Sequence, residues 1–278
     1  METPILDNHL HLDPVNGRGA AAAEEFANAG GTHLLVLNKP SWYFVDKVDD
    51  ADAFRRTFEL TCEVTDEASK RLDGRAWPVL GVHPALISQL VDTEFSPEEA
   101  GNLMRTGLEI AAEFVAEGPA LAIKSGRPHY DVSEEVWDIS NEVMKHAFEL
   151  GAETGCAVQL HTEGGEDFEE VAQWAENRGL PREQVVKHYS SGPVSGPIPS
   201  IISNKEALEA GAKSGESFLM ETDFLDDPER PGAVLGPKTV PKRVRWLLEN
   251  GFEEAVYRAH VETPARVYGI DTEATLER

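Results

Sequence analysis

The sequence predicts an α/β protein, a single closed (β/α)8 TIM barrel with its functional site at the C-terminal ends of the strands. Three observations predict it. Strand-length apolar runs alternate with helical stretches through the whole chain of 278 residues. The strand runs are close to continuously apolar, as strands covered on both faces are. Polar residues gather where those runs end, and in a barrel those ends share one rim. Eight right-handed strand–helix units fill about this length, so residues 1–278 read as one domain. A doubly wound open sheet is the alternative. No Gly-x-Gly-x-x-Gly follows an early strand and no P-loop occurs, so no nucleotide fingerprint supports it.

The elements follow in order. Strand one is Ile5 to Leu12. A helix from Ala20 to Ala29 is closed by Gly30-Gly31. Strand two is Thr32 to Asn38, and a long helix covers Asp50 to Leu72. Strand three is Trp77 to Val82. Ser96-Pro97-Glu98-Glu99 is an N-cap, a proline at the first helical position and acids against the dipole; that helix ends near Glu117-Gly118. Strand four is Ala120 to Ser125. Ser133 caps a helix to about Glu149, with Gly151 after it. Strand five is Ala157 to His161, followed by a helix from Glu166 to Asn177 that Gly179 stops. Strand six is Gln184 to Tyr189, and Ser190 to Ser200 reads as a long loop. Strand seven is Ile198 to Ser203, with a helix from Lys205 to Ala212. Strand eight is Phe218 to Thr222. Helices from Thr239 to Asn250, from Glu253 to His260, and from Thr263-Pro264 to before Gly269 close the chain.

Composition narrows the function classes. Fifty acidic residues against twenty-five basic give a net charge of −25, spread along the chain. A solvated acidic surface suits a salt-rich cytoplasm, where screening shortens self-repulsion, so a halophilic source is expected. The same charge opposes nucleic acid at low salt, because affinity there rests on phosphate contacts. No apolar run reaches bilayer length, and the N-terminus lacks a signal-peptide pattern. Cys62 and Cys156 are far apart. A reduced, cytoplasmic protein without a membrane partner is expected.

The strand ends carry the chemistry. Strand one ends in Asp7-Asn8-His9-Leu10-His11. Side chains alternate along a strand, so His9 and His11 share a face. By itself the pair also fits a strand end leaving the core. Strand three ends in Gly81-Val82-His83-Pro84, strand four in Ile123-Lys124-Ser125-Gly126, strand five at His161, strand six at His188, and strand eight in Glu221-Thr222-Asp223. Of nine histidines, only His33, His146 and His260 lie away from strand ends or the loops after them. Such donors meeting at one rim make a metal site with open positions, the catalytic type. Lys124 is the odd member, since an ammonium cannot bind a cation. Its neutral amine can react with carbon dioxide to give a carbamate, an anionic bridging ligand. The alternative is an ion pair with an acid such as Asp223 or Glu163.

These motifs together resemble the TatD-related branch of the amidohydrolase superfamily, metal-dependent hydrolases on a (β/α)8 barrel. Asp7-Asn8-His9-Leu10-His11 is similar to its strand-one motif, and Gly81-Val82-His83-Pro84 to its Gly-x-His-Pro. His161 and His188 fall at its strand-five and strand-six ligands. Glu221-Thr222-Asp223 matches its Glu-Thr-Asp, and Thr263 to Gly269 resembles its C-terminal Asn-x-x-Arg-Leu-Phe-Gly. Strand four departs from the pattern: TatD proteins usually carry glutamate in Gly-Glu-Ile-Gly, where this chain has Lys124. With Lys124 the ligand set is similar to that of phosphotriesterase-like enzymes and lactonases, which use a carboxylated lysine.

The resemblance implies hydrolysis by metal-activated water at a binuclear centre. His9, His11 and Asp223 would hold one divalent cation, His161 and His188 the other, and carboxylated Lys124 would bridge. Zinc, manganese and similar ions suit these donors. Asp223 would also be the catalytic base. His83, Arg127 and His129 are candidates for substrate contact; a surface ion pair is the other role for Arg127. Two substrate classes stay open: a nucleic-acid phosphodiester, as for a TatD-like deoxyribonuclease, or a small-molecule ester, as for a lactonase or phosphotriesterase. A non-catalytic metal-binding barrel is the remote third reading.

Overall fold

The computed structural model describes residues 3–93 and 95–276. Its strands are β1 (Leu6–His11), β2 (His33–Leu37), β3 (Ala76–Gly81), β4 (Ala122–Gly126), β5 (Val158–His161), β6 (Val185–Ser190), β7 (Ile198–Ile202), β8 (Leu219–Glu221) and β9 (Phe224–Leu225). All pairings are parallel, in the order β8-β7-β6-β5-β4-β3-β2-β1-β9. The eight expected strands are present. The ninth continues β8 across a kink at Thr222-Asp223 and pairs with β1. The last strand segment thereby returns to the first, and the sheet curls round as a TIM-type barrel.

The helices are α1 (Ala20–Ala27), α2 (Ala51–Ser69), α3 (Leu86–Val91), α4 (Pro97–Ala116), α5 (Glu134–Thr154), α6 (Glu169–Glu176), α7 (Lys205–Ser214), α8 (Thr239–Glu249), α9 (Glu253–Tyr257) and α10 (Thr263–Tyr268). They lie between the strands and bury apolar faces against the outside of the sheet. Phe54, Phe58, Leu108 and Phe148 join Leu80, Ile123 and Leu160 in one such cluster. Ser96 caps α4 as expected: its hydroxyl accepts from the Glu99 amide at 3.3 Å, and the Glu99 carboxylate accepts from the Ser96 amide at 2.8 Å. None of the helices in the described residues is long and apolar enough to cross a membrane.

Several boundaries differ from expectation, each for a local reason. The helix expected to end at about Glu149, before Gly151, runs on to Thr154, and Gly155 caps it in the left-handed region at φ 71°. Gly151 is a packing glycine, since a Cβ there would meet the Val158 side chain at 2.8 Å. The helix expected from Glu166 starts at Glu169, because the Asp167 carboxylate accepts from the Glu169 amide at 3.1 Å and Phe168 is drawn into the core. The short helix α3 and a 3-10 turn at Ser41–Tyr43 were not expected. The helix expected through His260 ends at Tyr257 and passes into a π turn over Arg258–Glu262.

Inside the barrel, Leu6, Leu35, Trp77, Ala122, Ala157, Val186 and Leu219 form an apolar layer toward the N-terminal end of the strands, and Leu37 and Val79, further along β2 and β3, pack with it. Val267 and Ile270, from the chain after the π turn, join this layer and close that end. The other end of the barrel, two to four residues further along each strand, is polar.

Candidate metal centre

The site begins with a bulge. Between Asp7 and Leu10, β1 spends three residues where β2 spends two. An extra residue in one strand turns successive side chains to the same side. Asn8 and His9 therefore both reach inward: Asn8 bonds Ser200 at 3.0 Å, and His9 bonds Gln159 at 2.8 Å. His11 follows on the same side, its ring 5.1 Å from that of His9. At the opposite seam the Asp7 carboxylate accepts from the Thr222 hydroxyl at 2.6 Å and the Thr222 amide at 3.0 Å. The Asp223 amide donates to the His9 carbonyl at 2.9 Å. These bonds hold Asp223 at φ 50°, a left-handed conformation that a non-glycine residue adopts at a cost of about 1–3 kcal/mol. The other such residue, Tyr189 at φ 55°, follows His188 directly.

The six expected ligands lie around one cavity or against each other. One Asp223 carboxylate oxygen lies 3.8 Å from His9 Nε2 and 3.7 Å from His11 Nε2, a spacing one cation could close. His188 stacks on His9 at 3.7 Å between ring centroids. His161 lies 5.4 Å from His188, and His83 lies 4.6 Å from His161. His11, His83, Lys124, His161, His188 and Asp223 line a cavity of about 290 Å³. Two glycines allow this convergence: a Cβ on Gly81 would strike the Lys124 carbonyl, and one on Gly126 the His161 carbonyl.

The hydrogen bonds point ring lone pairs at the site. His11 Nδ1 donates to the Leu37 carbonyl at 3.0 Å, and His188 Nδ1 to the Glu221 carboxylate at 2.8 Å. His9 Nδ1 faces the Gln159 side-chain oxygen. In each ring Nε2 is left as the unprotonated nitrogen, the pattern of a metal-ligating histidine held by an outer partner. His9 Nε2 is buried and finds no hydrogen-bond partner among the described residues. Burial, then the Lys124 charge, holds His9 and His11 well below the usual imidazole range. Burial also lowers His83, His161 and His188. Neutral rings with bare nitrogens fit a divalent cation.

Burial favours the neutral form of the other groups too, raising the carboxylates and lowering the lysine. Burial pushes Asp223 up to about 7, against the pull of Lys124. Glu221 is raised by burial and by Asp223. Burial brings Lys124 down to about 8, opposed by Asp223 and Glu221. A lowered lysine pKa brings the free amine within easier reach near neutral pH. Of the ion-pair partners weighed for Lys124 from sequence, Glu163 is committed elsewhere. It pairs with Arg127, whose Nε lies 2.8 Å from it.

The three expected substrate contacts separate. His83 lines the cavity; its Nδ1 accepts from the Ala85 amide at 3.1 Å, so Nε2 carries the proton. His129 is exposed at the rim, Nδ1 lying 2.9 Å from His161 Nε2. Arg127 is not on the cavity wall. Glu163 holds it bidentately, Asn141 takes a third bond at 3.1 Å, and its guanidinium stacks over Trp137 at 4.6 Å. The guanidinium that does line the cavity is Arg230, beside Trp42, Tyr43, Leu225, Ala233 and Val234. Apart from Leu225 in β9, these lie on loops or in the 3-10 turn at Ser41–Tyr43, where side chains carry no periodic signal. Two further site residues had one: Gln159 is two residues before His161 on one strand face, and Glu221 is two before Asp223 in the chain.

Comparison with known proteins bears on the family and the fold. The family described as TatD related DNase matches residues 6–269. An uncharacterised protein of Methanocaldococcus jannaschii is 39% identical over 282 residues, covering 97% of each chain. Among solved structures, the TatD-like protein from Archaeoglobus fulgidus superposes with a TM-score of 0.60 at 18% identity, covering 95% of this chain and 100% of that one. A mutant organophosphorus hydrolase from Deinococcus radiodurans gives 0.62 at 16% identity, covering 96% and 92%. At such identities the two structures bear on the fold alone. The chain belongs to the TatD-related DNase family and, as a member of it, is a metal-dependent hydrolase.

Proposed function

We propose that this chain, as one barrel domain, hydrolyses a small ester, either a lactone or a phosphoester. The observation that carries this reading is Lys124 buried in the wall of a 290 Å³ cavity among neutral histidines. Bound divalent cations, zinc or manganese, lower the pKa of a water and polarise the scissile oxygen. His9, His11 and Asp223 would hold one cation, and His161 and His188 would hold a second. The neutral Lys124 amine would attack carbon dioxide and so give the site an anionic ligand in place of a cation. An N–C bond forms, a C=O pair moves onto oxygen, and the amine proton leaves to water, giving a carbamate. Asp223 would be the base that accepts a proton from the water. His83 offers its Nε2–H to the substrate oxygen, His129 flanks the entrance through His161, and Arg230 supplies the cation at the wall. Arg127 acts behind the rim, fixing the loop that carries Glu163.

The second reading is phosphodiester cleavage, which the family description favours. A cavity of this size beneath a surface of net charge −25 suits a small substrate better than a polyanionic strand. The deciding assay uses zinc- or manganese-loaded protein at high salt and compares single-stranded DNA with lactone and phosphoester panels. Turnover of a small ester is expected, reduced by at least about 100-fold in Asp223→Ala. Protein equilibrated with ¹³C-bicarbonate should show a carbamate resonance that Lys124→Met lacks. Cleavage of DNA with no ester turned over would replace this reading with the nuclease.

A further inference from the structure

We infer that Gln159 fixes the ring of His9 as the Nδ1–H form, and that Tyr268, from the C-terminal segment closing the far end of the barrel, holds Gln159 in place. The inference rests on His9 being a metal ligand. Four bonds carry it. Gln159 Nε2 lies 3.1 Å from the Asn8 carbonyl, which can only accept. The amide nitrogen must therefore stand there, and the amide cannot be flipped. Gln159 Nε2 also lies 2.9 Å from the Tyr268 hydroxyl. That hydroxyl donates its own proton to Asn8 Oδ1 at 2.8 Å, so toward Gln159 it accepts. Both amide protons are thus used, and the amide oxygen is left facing His9 Nδ1 at 2.8 Å. An amide oxygen only accepts, so Nδ1 carries the proton. Nε2, buried and without a partner, keeps its lone pair for the site.

Gln159 and Tyr268 touch no reacting atom in this arrangement and are positioning residues. Asn8 serves at both ends of the chain of bonds, its carbonyl holding Gln159 and its side chain holding Tyr268. The β1 bulge makes this possible by turning Asn8 inward beside His9. The hydroxyl reaches the polar end from a segment whose neighbours, Val267 and Ile270, pack in the apolar layer. The identity of one residue in the closing segment thereby bears on a ligand at the opposite end of the barrel.

The test reads the ring directly. In ¹⁵N-histidine-labelled metal-free wild type, His9, assigned by loss of its signals in His9→Asn, should show the Nδ1–H tautomer. An Nε2–H tautomer overturns the inference whatever the enzyme hydrolyses. Zinc affinity, measured by competition with a chelator, should fall about 10–100-fold in Gln159→Leu, with a smaller fall in Tyr268→Phe and no added loss in the double variant. Val267→Ala loosens the same segment without touching the amide; it should lower the melting temperature and leave zinc affinity unchanged. If Val267→Ala weakens zinc as much as Tyr268→Phe does, packing rather than the bond is responsible and the inference fails. If Tyr268→Phe does not fold, the wild-type tautomer and Gln159→Leu still decide it. Failure of wild type to bind zinc at all would instead overturn the metal reading beneath it.

Discussion

The two ends of the barrel interior are built on the same strands a few residues apart, yet obey opposite rules. At the N-terminal end Ala122, Ala157, Val186 and Leu219 pack among apolar neighbours. Two residues later on the same face stand Lys124, Gln159, His188 and Glu221, all buried and all polar. The first layer lowers free energy by removing apolar surface from water. The second works against the fold: burying a charge or an unpaired polar atom is costly, and the shifted groups record that cost. Asp7 and Asp223 are pushed up to about 7 and Lys124 down to about 8. The first layer makes it possible to keep the second, since the stability it supplies offsets the cost of holding histidines, carboxyls and an amine so close together.

This contrast can be broken from either side. The largest effect on stability should come from the apolar layer. Leu35→Ala, at a fully buried position, should cost about 2–5 kcal/mol and lower the melting temperature, while zinc affinity of the folded protein stays within error. Loss of zinc binding there would show that the two layers are not separable. Next comes the polar layer. Glu221→Gln weakens the acceptor of the His188 ring proton and should reduce zinc affinity about 10-fold or more. Because burial of this carboxyl is costly, the same substitution should leave the metal-free fold as stable as before or more so. A large loss of stability would mean that Glu221 is structural.

The smallest effect is a pH slope. Asp7 is raised above its unfolded value by burial, which outweighs the bonds from Thr222 and His9 that pull it down. A raised carboxyl binds its proton more tightly in the folded state. Its contribution is present below pH 4 and is lost as pH rises through about 7. Metal-free wild type should therefore lose stability across that window by up to ~1.4 kcal/mol per pH unit from this group. Asp7→Asn should remove that share of the slope. Parallel melting-temperature profiles for the two proteins would show the contribution absent.

How far the site was legible depended on periodicity. His9, His11, His161, His188 and Asp223 sit at strand ends, and strand alternation with barrel geometry sends them to one rim. Glu221 and Gln159 were equally legible by that rule, two residues before a ligand candidate, but nothing in their residue types sets them apart from ordinary polar strand residues. Arg127 shows the opposite failure. Its position after β4 left substrate contact and an ion pair both open, and only packing reveals Glu163, Asn141 and Trp137 around its guanidinium. Arg230, Trp42 and Tyr43 belong to loops, whose course follows from tertiary contacts rather than from any repeating pattern.

The strand-one motif shows where the two kinds of information part. The sequence alone determined that a strand ends in two histidines, that the elements repeat as strand and helix, and that ligand candidates recur at strand ends. Hydrophobic period and turn chemistry are local properties, written within a few residues of where they act. Only the tertiary structure decided that β1 bulges, so that Asn8 and His9 both face inward, and that a kink after β8 swings Asp223 to within 3.8 Å of His9. It also decided that Tyr268 reaches His9 through Gln159. These depend on residues as far apart as 260 positions in the chain, which no local pattern connects and which closing the barrel brings within hydrogen-bond reach.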